Sequence, residues 1–63
     1  MIDTQKLRNK MEARFMSGIE LSRRVGVTET TIYNITAGRT QPKPENLRRI
    51  CEALECKPEE ILK

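Results

Sequence analysis

The sequence predicts an all-α domain: five short helices, compactly packed, with no sheet. Three observations carry that expectation. Sixty-three residues fit one small domain, residues 1–63. Between the turn-formers Ser17-Gly18, Gly26, Gly38, Pro42, Pro44 and Pro58, apolar residues recur at intervals of three and four. Even the most strand-like stretch, "GVTETTIYNITAG" from Gly26 to Gly38, spaces its isoleucines three apart, which would put them on opposite faces of a sheet.

The first segment is "DTQKLRNKMEAR". Asp3 or Thr4 can cap it, and Leu7, Met11 and Phe15 stand four apart on one face. The second is "SGIELSRRV". Ser17 can cap it, Glu20 follows three residues later as in a capping box, and Leu21 and Val25 are four apart. Gly26 stands where a left-handed residue closes a helix. The third runs over Glu29–Ala37. Its β-branched residues are poor helix formers, so packing must hold it. Thr28 can cap it, Glu29 puts a carboxylate in the first turn, and Gly38 can end it. The fourth, "PENLRRICEAL", has Pro44 in its first turn and an apolar stripe of Leu47, Ile50, Cys51 and Leu54. The fifth, "KPEEILK", is one or two turns begun by Pro58, with Ile61 and Leu62 turned inward.

Charge is unevenly spread. The chain has 12 Lys/Arg, nine Asp/Glu and no His, for a net +3 and a pI near 9.2. Residues 1–44 hold eight bases against four acids, while residues 45–63 hold four against five. The first part therefore favours a polyanion partner, although a chain so rich in charge needs a solvated charged surface in any case. Cys51 and Cys56 with no His cannot build an ordinary zinc site, so both are expected as small buried hydrophobes, with no metal or other cofactor. Free thiols suit a reducing cytosol, and no apolar run approaches a membrane span, so a cytoplasmic location is expected. No base stands ready to activate Ser17 or Ser22 and no phosphate-cradling glycine loop is present, so an enzyme is not expected.

The faces of the third segment say more. At about 100° per residue, Ile32 and Ile35 define its buried side. Thr30, Tyr33, Asn34 and Ala37 fall opposite, and Glu29 projects from the N-terminal end. A solvated face would usually carry Lys and Glu. Short hydroxyl and amide groups instead fit the reading of base edges, with positive charge kept on the flanks.

The second and third segments make a helix, a tight glycine turn and a helix, over about residues 17–37. Leu21 and Ile32 fill the angle, small Ser22 permits close approach, and Gly26 takes the turn. With its flanks, "LSRRVGVTETTIYNITAGRTQPKPENLRRICEALECKPEEIL" resembles the phage-repressor/Cro-type (XRE-like) helix-turn-helix domains, which have a lambda-repressor-like fold of five helices. The resemblance covers about residues 4–62. It implies a sequence-specific regulator of transcription, expected to be a repressor, whose third helix enters the major groove of double-stranded DNA. It assigns base contacts to Glu29, Thr30, Tyr33 and Asn34, and phosphate contacts to Ser17, Gly18, Arg39, Thr40 and Lys43. Glu29 keeps two readings, as a first-turn acid that stabilises the helix or as an acceptor for a cytosine amino group. The resemblance also implies two copies on an inverted repeat. Spare apolar surface is small (Ile19, Ile61 and Leu62 are the candidates), so the homodimer is expected to be weak or induced by DNA.

Departures from the family pattern bear on function. Gly18 stands where a Gln is usual, so a side-chain phosphate clamp is missing. Met11 and Thr36 occupy positions where many relatives have an Arg–Glu pair linking the first and third helices. Phe15 replaces a common Gly, and Ile19 replaces a polar residue; these two could form a local cluster or a contact surface. The competing function is a degenerate helix-turn-helix serving as a protein-interaction module, antitoxin-like or antirepressor-binding, with weak or no DNA binding.

Overall fold

A computed structural model describes all 63 residues. Four α-helices follow in order: α1 (Thr4–Ala13), α2 (Gly18–Val25), α3 (Glu29–Thr36) and α4 (Pro44–Leu54). The expected fifth helix is a single 3-10 turn, Pro58–Glu60. It does not propagate because the chain turns inward at once to bury Ile61 and pair with the N-terminus. The backbone N–H of Asp3 donates to the Ile61 carbonyl and that of Lys63 to the Met1 carbonyl, both at 2.9 Å. This isolated antiparallel bridge, Ile2 with Leu62, is the only extended pairing.

Side chains set the helix starts. Asp3 accepts from the Gln5 and Lys6 N–H groups, Ser17 from Glu20 and Thr28 from Thr31, satisfying donors that each first turn leaves free. The capping box at Ser17 is half made, because Glu20 turns to Arg24 instead, at 2.9 Å.

The helix ends share one device. Each of the four is followed by a left-handed residue: Phe15, Gly26, Gly38 and Glu55. After α1, the Phe15 N–H donates to Glu12 and the Met16 N–H to Met11, the paired bonds of a Schellman exit. Glu55 and Cys56 repeat the pattern on Glu52 and Cys51, and Gly38 and Arg39 on Ile35 and Asn34. Phe15 therefore leaves the α1 stripe, where its spacing from Met11 placed it, and stands 96% exposed. Its left-handed backbone points the ring into solvent.

Three arginines finish helix ends from a distance. Arg8 of α1 donates to the Thr36 carbonyl of α3, Arg14 to Leu54 of α4, and Arg49 to Val25 of α2. A cation at a helix C-terminus also meets the negative end of its dipole. Arg8 thus restores a link between α1 and α3 from one turn before Met11, by side chain to backbone.

The core gathers Leu7, Leu21, Val25, Ile32, Ile35, Ile50, Leu54 and Ile61, with Ile2, Met11, Met16 and Cys51 around them. Ser22 is buried between α2 and its neighbours, and its hydroxyl donates to the Ile19 carbonyl at 2.7 Å, so close packing leaves no buried side-chain polar atom unpaired. Burial, then the neighbouring Cys56, pushes the Cys51 thiol up to about 11, and burial raises Cys56 as well. Both stay protonated at neutral pH and pack as hydrophobes.

Candidate nucleic-acid interface

The α2–turn–α3 unit is fixed before any partner arrives. Gly26 takes φ 86°, a conformation that costs other residues about 1–2 kcal/mol, and its N–H closes α2 on the Ser22 carbonyl. Leu21 and Ile32 are fully buried in the angle between the helices, as expected from their spacing.

This leaves α3 with one buried side, Ile32 and Ile35, and an open side. Glu29, Thr30 and Ala37 are exposed, Tyr33 is 58% exposed, and Asn34 is half-buried. The hydroxyl and amide groups of α3 divide into two sets. Thr31 shares a hydroxyl–hydroxyl bond with the cap Thr28 at 2.9 Å, and the Thr36 hydroxyl donates to the Tyr33 carbonyl at 3.0 Å. The Thr30 hydroxyl and the Asn34 amide make no hydrogen bond within the chain. These two are the short polar side chains that sequence alone placed on the outer face.

The flanks carry a second kind of group. Gly18 and Ile19 open α2, and their N–H groups find no acceptor in the chain, while Ser17 is exposed beside them. Such a helix start suits a phosphate. At Gly18 a Cβ would lie 3.7 Å from Ile32 Cγ2, an ordinary contact, so the missing side chain is not excluded by space. After α3 the chain turns at Gly38 and stays pinned: the Arg39 and Thr40 N–H groups both return to the Asn34 carbonyl, and Gln41 accepts from the Ile2 N–H at 2.8 Å. Arg39, Thr40 and Lys43 are exposed along this loop.

Charge pairing sharpens the pattern. Arg14, Arg24, Arg48, Arg49 and Lys10 each meet a carboxylate, in pairs exposed enough to add little stability. Arg23, Arg39 and Lys43 have no such partner on the α2–α3 side. The Arg39 guanidinium instead lies over the Tyr33 ring, 5.5 Å from its centroid. Sequence reading missed this pair, although it assigned both Tyr33 and Arg39 to the interface. It also missed the three carbonyl-capping arginines, whose partners lie 24 to 40 residues away.

Ile19 and Phe15 do not share one surface. Ile19 lines a shallow groove of about 500 Å³ with Met11, Met16, Ile32 and Tyr33, and Phe15 is not part of it. No helix of the chain is long and apolar enough to cross a membrane.

Comparison with known proteins agrees with this geometry. The model of a family described as the Cro/C1-type HTH DNA-binding domain matches residues 6–63. YozG of Bacillus subtilis (strain 168), named as an uncharacterized HTH-type transcriptional regulator, is 42% identical over 50 residues. That match covers 78% of this chain and 60% of the relative, so the chain spans less than two thirds of that protein's length. With the paired helices, the glycine turn and a family match over nearly every residue, the chain belongs to the Cro/C1-type helix-turn-helix family.

Proposed function

We propose that this chain is a sequence-specific, double-stranded DNA-binding regulator of transcription, acting as a repressor. The helix α3 enters the major groove. Thr30, Asn34, Tyr33 and Glu29 face the base edges. The α2 start at Ser17 and Gly18, together with Thr40 and Lys43, meets phosphates, and Arg39 supplies charge where the loop joins the outer face of α3. The observation that carries the reading is the division of polar groups on α3. Threonines off the outer face spend their hydroxyls locally, whereas Thr30 and Asn34 keep theirs free. An Asn amide can pair with an adenine edge through two hydrogen bonds, and a Thr methyl can pack on a thymine methyl. Occupancy of an operator is enough to obstruct transcription, which makes repression the simplest outcome.

The test separates base contacts from phosphate contacts. Asn34→Ala should cost about 1–3 kcal/mol on the preferred duplex and little on random DNA. Lys43→Ala should weaken both alike and lower the salt slope by about one. Titrations of both variants against specific and random duplexes at several salt concentrations decide it. An unchanged specific-to-random ratio in Asn34→Ala would defeat the reading. The groove beside Ile19 and the exposed Phe15 favour one second reading, a protein-interaction module. Absence of duplex binding even at low salt would favour that module.

A further inference from the structure

Two arginines keep guanidinium groups that donate to nothing in the chain: Arg23 on α2 and Arg39 after α3. Only Arg39 is held. Its backbone N–H is tied to the Asn34 carbonyl at 2.9 Å, directly after the left-handed Gly38. Its guanidinium rests over the Tyr33 ring at 5.5 Å. Tyr33 lies on the outer face of α3 beside Asn34, so the charge is laid across that face instead of trailing from the loop. No carboxylate competes for it, since the nearest acid on the same face, Glu29, forms no ion pair.

This arrangement is more than a phosphate contact needs. A phosphate can be met by a flexible cation from many rotamers, and a lysine serves well. A base edge is stricter, because two N–H groups must be presented together in one plane. A guanidinium held over an aromatic ring loses part of its rotamer freedom while its N–H groups stay unspent.

We propose that Arg39 is a specificity-determining residue that reads the O6/N7 edge of a guanine in the major groove, and that Tyr33 is the residue that positions it. The proposal rests on α3 lying in that groove, and it changes the expected role of Arg39 from phosphate contact to base contact. The phosphate role along the loop then falls to Lys43 and Thr40.

The experiment starts from duplexes selected out of a random pool by the unaltered protein, followed by every single-base-pair change in the preferred site. Binding is measured for the parent, Arg39→Lys, Arg39→Ala, Tyr33→Phe and Tyr33→Ala. Tyr33 is largely exposed, so all four variants should keep the parent's helical circular dichroism. The parent should discriminate for G·C at one position by roughly tenfold or more. Arg39→Lys keeps the charge, so its salt slope should match the parent, while the discrimination should fall because an ammonium lacks the fixed planar fork. Arg39→Ala should lose the discrimination altogether. Tyr33→Phe retains the ring and should retain the G·C preference, whereas Tyr33→Ala should reduce it. If the parent selects a site but Arg39→Ala preserves every base preference, Arg39 contacts phosphate and the assignment fails alone. If the parent selects no site at all, the interface reading fails with it.

Discussion

Phe15 sits at φ 51° with its ring in water, in the left-handed position after α1. Both facts are unfavourable for a phenylalanine. The left-handed backbone crowds its Cβ against the following carbonyl, at a cost of about 1–2 kcal/mol. The Schellman bonds from Phe15 and Met16 nevertheless hold it there, because releasing them would strand the last carbonyls of α1. Phe15→Gly should therefore raise folding stability by about 1 kcal/mol, less the modest entropic penalty of glycine. Urea denaturation gives the value, and a loss of stability would mean that the ring packs on something the exposed position conceals. The sequence signalled that Phe15 was unusual, since it departs from the family's glycine. It did not signal where the ring goes, because the four-residue interval from Met11 points equally well to a core face. That ambiguity is resolved only by where α1 ends. The arginine caps are illegible for a different reason. A guanidinium that finds a carbonyl 40 residues away leaves no local pattern, and Arg14 reads in sequence as one more solvated base.

At the scale of elements, local chemistry was a good guide wherever it was strong. The bounds of α4 coincide with the segment read from Pro44 and its apolar stripe, and Ser17 and Thr28 cap the helices they were assigned to. The weakest helix former, α3, was still placed to within a residue, because the spacing of Ile32 and Ile35 outweighs the β-branched composition. The last element was overestimated. Its Pro58 and its acids suit a helix start, yet the turn is only three residues long. One carboxylate holds much of it. Glu60 accepts from the Lys57 N–H at 2.6 Å and from the Lys10 ammonium at 2.9 Å. The backbone bond first, and the Lys10 hydrogen bond second, keep its carboxyl below the ordinary value of 4.5. A depressed folded value contributes stability that is fully present above the unfolded pKa and is lost as pH falls through the folded one. Acid should thus destabilise the parent more than Glu60→Gln across the range below 4.5, with the two curves parallel at higher pH. Thermal melts at stepped pH would show it, and equal acid sensitivity would remove Glu60 from the account.

The molecule as a whole spans 24 × 23 × 19 Å. Successive major-groove faces of a duplex recur about 34 Å apart. Two such bodies, each reading one half-site, would meet only at their margins once side chains are added. Ile61 is fully buried in its own core, and Leu62 is partly covered, so the C-terminal end offers a partner little apolar surface. The free protein should accordingly sediment as a monomer at micromolar concentration, and two copies should assemble on an inverted repeat with modest cooperativity. A single copy per selected site, with no symmetry in that site, would contradict this. Sequence offers Ile61 both as an inward-turned residue and as a candidate contact, and its complete burial favours the first. The pairing of the chain ends, which requires residues 1–3 and 61–63 together, had no signature in either segment alone.

That pairing has a mechanical consequence. Met1 and Lys63 are joined side by side, and the two hydrogen bonds of the bridge lie along the line on which the ends would separate. Tension applied at the termini loads them one after the other, as in a zipper, and not together in shear. The bridge should yield first and at low force. Because Gln41 holds the backbone of Ile2, the first slack released is passed to the loop that carries Arg39, Thr40 and Lys43. A pull on the ends is therefore felt early at the flank of α3, while the four helices are still packed together.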